Sequence, residues 1–376
     1  MKKVICLCCV VFIMMSNIAY AETTGPQTSA RSVLLMEHST GEVLFENNAD
    51  EKLPIASVTK IMTMLLICEA LDEGKITMED MVPVSERAMS MGGSTMFLAT
   101  GEELSVYEML KGIAVASAND GCVAMAEYIS GSVEGFVDEM NKKAQELGMQ
   151  NTNFVNTNGL DDDNHYSSAR DVALMSRELL HHERIFEFTT IWTDKMHNGQ
   201  YDLANTNKLI RFYQGANGLK TGSTSKAQCC ISATAKRNDM QLIAVVLGAP
   251  TSNERFADAR ALLDYGFANY SVDKPVSMGE EVCIVPIAKG KKETLSVCAK
   301  NDFSYLASKG NKVECEKEII LPEEINAPVE KGQVLGNMVF IADGKEIGEI
   351  ELVAGEDIAK KSFADVIGEL FHRLFG

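Results

Sequence analysis

The chain has few basic residues and no apolar stretch long enough to cross a bilayer comfortably. It carries 35 lysines and arginines against 53 aspartates and glutamates, a formal net charge of -18 in 376 residues. Such an acidic chain repels phosphate backbones, so we expect no nucleic-acid partner. The apolar run from Val4 to Met15 is too short for a comfortable span, and charges interrupt the apolar residues of the last twenty positions.

Disulfide and metal-binding patterns are also missing. Beyond residue 21 the cysteines are odd in number and scattered in spacing, which argues against a disulfide framework. The polar cluster from Asp161 to His165 matches neither a calcium loop nor a zinc pattern. We therefore expect no metal and no cofactor. The seven cysteines are Cys68, Cys122, Cys229, Cys230, Cys283, Cys298 and Cys315, of which Cys68 and Cys122 lie in apolar helical runs and are predicted to be buried.

The first 21 residues have the pattern of a secretory signal peptide. Lys2 and Lys3 precede the apolar run, and Ala19-Tyr20-Ala21 is a small-x-small cleavage site. An exported protein is the expectation, acting outside the cytoplasmic membrane. The remaining length suffices for two domains, and 46% hydrophobic with 23% charged residues argues against disorder.

The most informative stretch is Pro54 to Leu66, which places a serine at the start of a helical apolar run. Ser57 and Lys60 are three residues apart, so their side chains share one face of a helix. A lysine whose pKa is lowered by burial can take the proton of a serine hydroxyl and make it a nucleophile. The alternative is a helix-capping serine followed by a solvated lysine.

Two further motifs follow Ser57 and Lys60 along the chain. Ser117-Ala118-Asn119 interrupts two helical segments, and Lys220-Thr221-Gly222 leads into a strand. Ser117 can relay a proton to a leaving amine and Asn119 can hold a substrate amide. Lys220 supplies positive charge, and its strand is expected to offer an open edge along which a peptide can lie.

The pattern of apolar and polar residues after residue 21 predicts two domains and a terminal helix. A catalytic domain spans residues 22–270, with helices at Ser57–Asp72, Ser105–Ala116, Cys122–Ile129, Val133–Leu147 and Glu254–Tyr270, and a loop-like region over Val82–Thr100. Short alternating segments over residues 271–355 predict a small all-β domain. Residues 356–376 predict an amphipathic helix. Its apolar face carries Phe363, Val366, Ile367, Leu370, Phe371, Leu374 and Phe375, which favours binding at a membrane surface over packing on the β domain.

These motifs resemble those of the D-alanyl-D-alanine carboxypeptidases, a family of low-molecular-mass penicillin-binding proteins with a serine nucleophile. The resemblance is strong from about Ala30 to Leu263. It includes Leu53–Lys60, Ala116–Asp120, Asn158–Asp161, His165–Asp171 and Gly218–Thr224.

The resemblance implies an α+β fold: a β-lactamase/DD-peptidase-like catalytic domain with an antiparallel sheet flanked by helices, then the β domain and the terminal helix. It implies removal of the terminal D-alanine from peptidoglycan stem pentapeptides through an acyl-Ser57 intermediate, and acylation of Ser57 by penicillin. The oxyanion hole would be the backbone N–H groups of Ser57 and Ser223. An arginine for the substrate carboxylate is missing at Asn205-Thr206-Asn207, which leaves the hydroxyls of Thr221 and Ser223 for that contact.

Two other functions remain open from the residues. A class A β-lactamase shares the three motifs, but the Glu-x-x-Leu-Asn segment that serves deacylation is not found between the second and third motif. A non-catalytic penicillin-binding sensor or scaffold is the other alternative, although binding alone does not need Lys60. A measurement of D-alanine release by the purified protein distinguishes the carboxypeptidase from both alternatives.

Overall fold

A five-stranded antiparallel sheet forms the centre of the first domain. The computed structural model describes residues 25–199, 201–310 and 315–375, so the predicted signal peptide lies outside the described residues. Hydrogen bonding orders the sheet β2-β1-β9-β8-β7, which leaves β7 at one edge. The strands of this domain are β1 (Ser32–Glu37), β2 (Val43–Asn47), β3 (Met81–Pro83), β4 (Glu103–Ser105), β5 (Thr193–Met196), β6 (Tyr201–Ala204), β7 (Ala216–Thr224), β8 (Gln228–Arg237) and β9 (Met240–Ala249).

Helices cover both faces of this sheet. All ten residues of β9 are buried, which fits their almost continuous apolar sequence. One face packs on α9, and the other packs on α1 and α6. The helices are α1 (Lys60–Asp72), α2 (Glu86–Met89), α3 (Val106–Lys111), α4 (Asn119–Ser130), α5 (Val133–Glu146), α6 (Ala169–His181), α7 (Phe186–Thr189), α8 (Leu209–Phe212) and α9 (Ser252–Asn269). The predicted antiparallel sheet flanked by helices is confirmed.

Local structure departs from the sequence predictions at three places. The stretch predicted as loop-like at Val82–Thr100 contains α2, and its first two residues belong to β3, which pairs with β4. The helix predicted to end at Ala116 is a π-helix from Gly112, and it stops because Ser117 takes a left-handed conformation with φ +64°. Helix α4 starts at Asn119, three residues earlier than predicted.

The second domain is all-β, as predicted. Strand β10 begins at Tyr270, directly after α9, and pairs with β13. A six-stranded sheet has the order β14-β16-β17-β12-β11-β15. Its small core is built around Phe340, which stacks on Phe303. The strands are β10 (Tyr270–Val276), β11 (Glu281–Ala288), β12 (Thr294–Ala299), β13 (Phe303–Ser308), β14 (Glu316–Ile320), β15 (Ile325–Asn326), β16 (Val334–Ala342) and β17 (Lys345–Ala354).

The terminal helix, α10, spans Phe363–Phe375 and therefore starts seven residues later than predicted. Ser362 and Asp365 cap its first turn with reciprocal hydrogen bonds. The residues before it belong to the β domain, since Ile358 is buried and bridges Val329. Among the described residues, no helix combines the length and the apolar character needed to cross a membrane.

Candidate active site

Ser57 and Lys60 meet at the start of the most buried helix of the chain's first domain. A 3-10 turn over Ala56–Thr59 carries Ser57 and leads directly into α1. The Nζ atom of Lys60 lies 2.8 Å from Oγ of Ser57, 2.7 Å from Oδ1 of Asn119 and 2.7 Å from the carbonyl oxygen of Asn158. The predicted serine–lysine pair is therefore in hydrogen-bonding contact.

Burial makes Lys60 suited to act as a base. Its side chain is fully buried, and this burial lowers its pKa to about 8, although Cys122 and Asp120 nearby act in the opposite direction. Two fixed acceptors, Oδ1 of Asn119 and the carbonyl oxygen of Asn158, orient the nitrogen toward Ser57, and no described carboxylate is hydrogen-bonded to it. A fraction of Lys60 is consequently neutral near physiological pH, and the neutral amine can accept the proton of the Ser57 hydroxyl.

The second motif lines the same cleft. Ser117 is buried and lies at the end of the π-helix, where its left-handed backbone turns the chain into α4. The side-chain amide of Asn119 donates to the carbonyl oxygen of Gly92 at 2.7 Å and accepts from Lys60. An amide nitrogen has two N–H groups, so one remains to donate to a substrate.

The third motif lies on β7, the edge strand of the sheet. Lys220 is buried, and its pKa is lowered well below the ordinary value by desolvation and then by the charge of Lys60. Gly222 allows β7 to approach the turn of Ser57. A Cβ atom there would lie 2.7 Å from the backbone nitrogen of Ser57 and 2.9 Å from that of Val58. The open edge expected from the sequence is present.

Hydroxyl groups and one guanidinium surround a cleft of about 240 Å³ beside Ser57. Thr221 donates from Oγ1 to Oγ1 of Thr206 at 2.6 Å, and Ser223 is exposed at the rim. All eight predicted site residues lie in or against this cleft: Ser57, Lys60, Ser117, Asn119, Lys220, Thr221, Gly222 and Ser223.

Sequence reasoning missed Arg255, Thr206 and Ser94, which also line the cleft. Arg255 comes from α9 on the far side of the sheet and donates to the carbonyl oxygens of Gly222 at 3.3 Å and Cys230 at 3.4 Å. It is buried, and desolvation lowers its pKa. Nothing in the sequence separates Arg255 from Arg260 on the same helix. Thr206 could have been found as the central residue of the Asn205-Thr206-Asn207 segment.

The loop from Asn151 to Tyr166 holds the turn of Ser57 from the opposite side. Gly159 approaches so closely that a Cβ atom would lie 1.9 Å from the carbonyl oxygen of Ala56, and its φ is +88°. Nδ1 of His165 accepts from the backbone N–H of Val155 at 3.2 Å. Its Nε2–H therefore donates to Oγ1 of Thr59 at 2.7 Å. Loop and catalytic turn are thus joined by direct hydrogen bonds.

A serine paired with a buried lysine, beside the open edge of a sheet, is the arrangement of those serine acyl-transfer enzymes that use lysine in place of histidine as the base. Comparison with known proteins narrows this class. Residues 19–251 match the family model of the D-alanyl-D-alanine carboxypeptidases. Residues 270–360 match the family model of the C-terminal domain of penicillin-binding protein 5.

Individual relatives agree with these matches. The chain is 47% identical over 354 residues to the D-alanyl-D-alanine carboxypeptidase DacF of Bacillus subtilis, covering 92% of this chain and 91% of the relative. Penicillin-binding protein 5 of Haemophilus influenzae superposes with a TM-score of 0.75 at 35% identity, covering 90% and 99% of the two chains. The ampicillin-bound penicillin-binding protein D2 of Listeria monocytogenes superposes with a TM-score of 0.59 at 33% identity, covering 64% and 98%. The chain belongs to the D-alanyl-D-alanine carboxypeptidase family.

Proposed function

We propose that this protein removes the terminal D-alanine from peptidoglycan stem pentapeptides, with Ser57 as nucleophile and Lys60 as its base. The observation that carries the proposal is the 2.8 Å contact between Oγ of Ser57 and the fully buried Nζ of Lys60. Oγ of Ser57 attacks the carbonyl carbon of the penultimate D-alanine while Lys60 takes the proton of the Ser57 hydroxyl. The backbone N–H groups of Ser57 and Ser223 stabilise the oxyanion, and Ser117 passes the proton from Lys60 to the amine of the departing D-alanine. Water then hydrolyses the acyl-Ser57 ester.

The positive end of the cleft binds the substrate carboxylate. Lys220 and Arg255 are both buried there, and burial lowers the pKa of each. A carboxylate arriving between them supplies the missing counter-charge, so an anionic substrate end is favoured. The hydroxyls of Thr206 and Ser223 are placed to donate to its oxygens, and the hydroxyl of Thr221 can do so once it turns away from Oγ1 of Thr206. The peptide itself lies along the open edge of β7, with Asn119 donating to its amide.

Penicillin acylates the same serine, and the adduct is hydrolysed slowly. The described residues that line the cleft include no aspartate or glutamate that could activate a water molecule. This favours a carboxypeptidase over the class A β-lactamase that the three motifs alone leave open. The family membership favours an enzyme over a non-catalytic sensor.

The protein acts on the outer side of the cytoplasmic membrane, attached to the bilayer surface by α10. The predicted signal peptide supports export. The described apolar side chains on α10 support attachment, because Phe363 is 81% exposed and Leu370 is 57% exposed. Their partial burial among lipid headgroups would stabilise a bound state.

The experiment that tests the activity compares two synthetic pentapeptides that end in D-Ala-D-Ala, one with a free carboxylate and one with a C-terminal amide. We expect D-alanine release from the acid. The amide should react little, because it is neutral and offers no negative charge to Lys220 and Arg255. Preincubation with penicillin should block the release. No D-alanine from the free acid would contradict the activity, and equal turnover of both peptides would contradict the carboxylate contact.

A further inference from the structure

A group of metal-ligating side chains lies where three helices of the first domain meet. In the part of the chain that the structure describes, one ligand atom each from Glu69, Glu178 and His182 lies within 4.8 Å of the other two. Glu69 is in the last turns of α1, and Glu178 and His182 flank the end of α6. All three side chains are half-buried. The catalytic residues are at the opposite end of α1, roughly 14 Å away at 1.5 Å rise per residue.

His182 is held in the orientation that metal-binding histidines use. Its Nδ1 atom lies 2.5 Å from Oδ2 of Asp72, a residue outside the three-ligand group. This contact keeps the proton on Nδ1 and leaves the lone pair of Nε2 free to bind a cation. Asp72 is itself fixed, since Arg184 approaches its other oxygen at 3.3 Å. A carboxylate that orients a histidine in this way recurs behind zinc ligands.

A lysine competes for one of the carboxylates. Nζ of Lys143 lies 2.8 Å from Oε1 of Glu69 and 3.0 Å from Oε2 of Glu146. Glu69 therefore offers a metal its second oxygen, while Glu146 keeps Lys143 paired when the metal draws on Glu69. Ligand atoms about 2.1 Å from one metal ion are about 3 to 4 Å apart, so small side-chain rotations complete the site.

We propose that Glu69, Glu178 and His182 form a binding site for a divalent transition metal ion, zinc above all, with water completing the coordination. One imidazole and two carboxylates suit zinc or manganese, whereas calcium requires an all-oxygen shell. The site goes beyond the sequence-based expectation of no metal. Because it joins the ends of α1 and α6, the ion stabilises the folded domain and takes no part in acyl transfer.

Calorimetric titration and thermal unfolding of the EDTA-treated full chain test this proposal. We expect one zinc ion to bind, to raise Tm by about 5 °C when in hundredfold excess over Kd, and to bind far more tightly than calcium. His182→Ala and Glu178→Gln should abolish both signals. Asp72→Asn should weaken binding about tenfold, because the imidazole loses its orienting partner. Lys143→Met should tighten binding, because the competing ammonium is gone.

The matched control is His372→Ala, which removes an exposed histidine of α10, outside the first domain, and should leave zinc affinity within about twofold. D-alanine release in the absence of metal reports that each variant is folded. Zinc binding that survives His182→Ala would overturn the proposal. So would equal losses in the His372 and His182 variants, a weakening by Lys143→Met, or the absence of zinc binding to the unmodified chain.

Discussion

Burial of Lys60 links the sequence motif to the chemistry at the scale of single residues. A lysine three residues after a serine is common in helices, and a solvated one remains protonated near neutral pH. Here the ammonium is fully buried and its three described hydrogen-bond acceptors are neutral, so its pKa falls to about 8. The rate of serine attack must follow the fraction of Lys60 that is neutral.

Acylation of Ser57 should therefore rise with pH, about tenfold per unit below pH 8, and level off above it. Lys60→Arg should lower the acylation rate at least about a thousandfold, because arginine stays protonated at these pH values. Stopped-flow acylation by a chromogenic β-lactam measures both effects. A rate that is independent of pH between 6 and 8, or an active Lys60→Arg variant, would mean that another group takes the proton.

At the scale of elements, the site depends on how closely β7 and the loop before α6 approach the turn of Ser57. Glycine at position 222 leaves room for β7, and glycine at position 159 leaves room for the loop. Both neighbours are backbone atoms, which cannot rotate away as a side chain can. Precise contact between three elements thus places the nucleophile, its base and the oxyanion donors.

Gly222→Ala should displace β7 from Ser57 and lower D-alanine release by about a hundredfold, since the added Cβ atom meets backbone at 2.7 to 2.9 Å. The stability cost should be only about 1 to 3 kcal/mol, so the variant should remain folded. Gly368→Ala is the control, because an added Cβ atom there meets nothing within 4 Å. Unchanged kinetics with Gly222→Ala would show that β7 does not form part of the oxyanion site.

His165 makes the contact between loop and turn sensitive to acid. Burial lowers its pKa to about 4, so the folded state keeps it neutral while the unfolded state protonates near 6.5. The contribution of His165 to stability is present above pH 6.5 and falls, by up to about 3 kcal/mol, as pH drops toward 4. Urea unfolding of His165→Ala should show the largest difference from the unmodified chain at pH 7 and a shrinking one toward pH 4. Parallel stability curves would contradict this role.

Sequence reasoning located the reactive residues but not all of their surroundings. Ser57, Lys60, Ser117 and Lys220 belong to local motifs, so their types and order were enough to group them. Arg255 reaches the cleft from the other side of the sheet, a tertiary placement that no local pattern encodes. The start of α10 was also misplaced, because Glu356–Lys361 has helix-compatible residues yet pairs with the β domain through Ile358 and Lys360.

At the scale of the whole molecule, catalysis and the proposed membrane attachment lie in different parts of the chain. The described catalytic residues all lie in the first domain, and the exposed apolar face of α10 lies at the other end of the chain. Interspersed charges on α10 nearly cancel, so attachment to a bilayer should be mainly hydrophobic and resist salt.

A chain ending at Lys361 should lose binding to phospholipid vesicles and keep full D-alanine release, since it retains Ile358 and every cleft residue. A chain ending at Gly355 should be less stable by about 2 to 3 kcal/mol, because the buried Ile358 is lost. Vesicle flotation and thermal unfolding measure these outcomes. Undiminished vesicle binding by the chain that ends at Lys361 would assign attachment to another surface.

The most direct test of the whole account is intact-mass spectrometry after incubation with penicillin. The unmodified chain should gain the mass of one penicilloyl group and hold it through a chase of many minutes, because the described residues that line the cleft include no carboxylate for deacylation. Ser57→Ala should gain no mass and should release D-alanine at least about a thousandfold more slowly, since the hydroxyl that Lys60 activates is gone. A penicilloyl adduct on the Ser57→Ala protein, or loss of the adduct from the unmodified chain within seconds, would contradict the account.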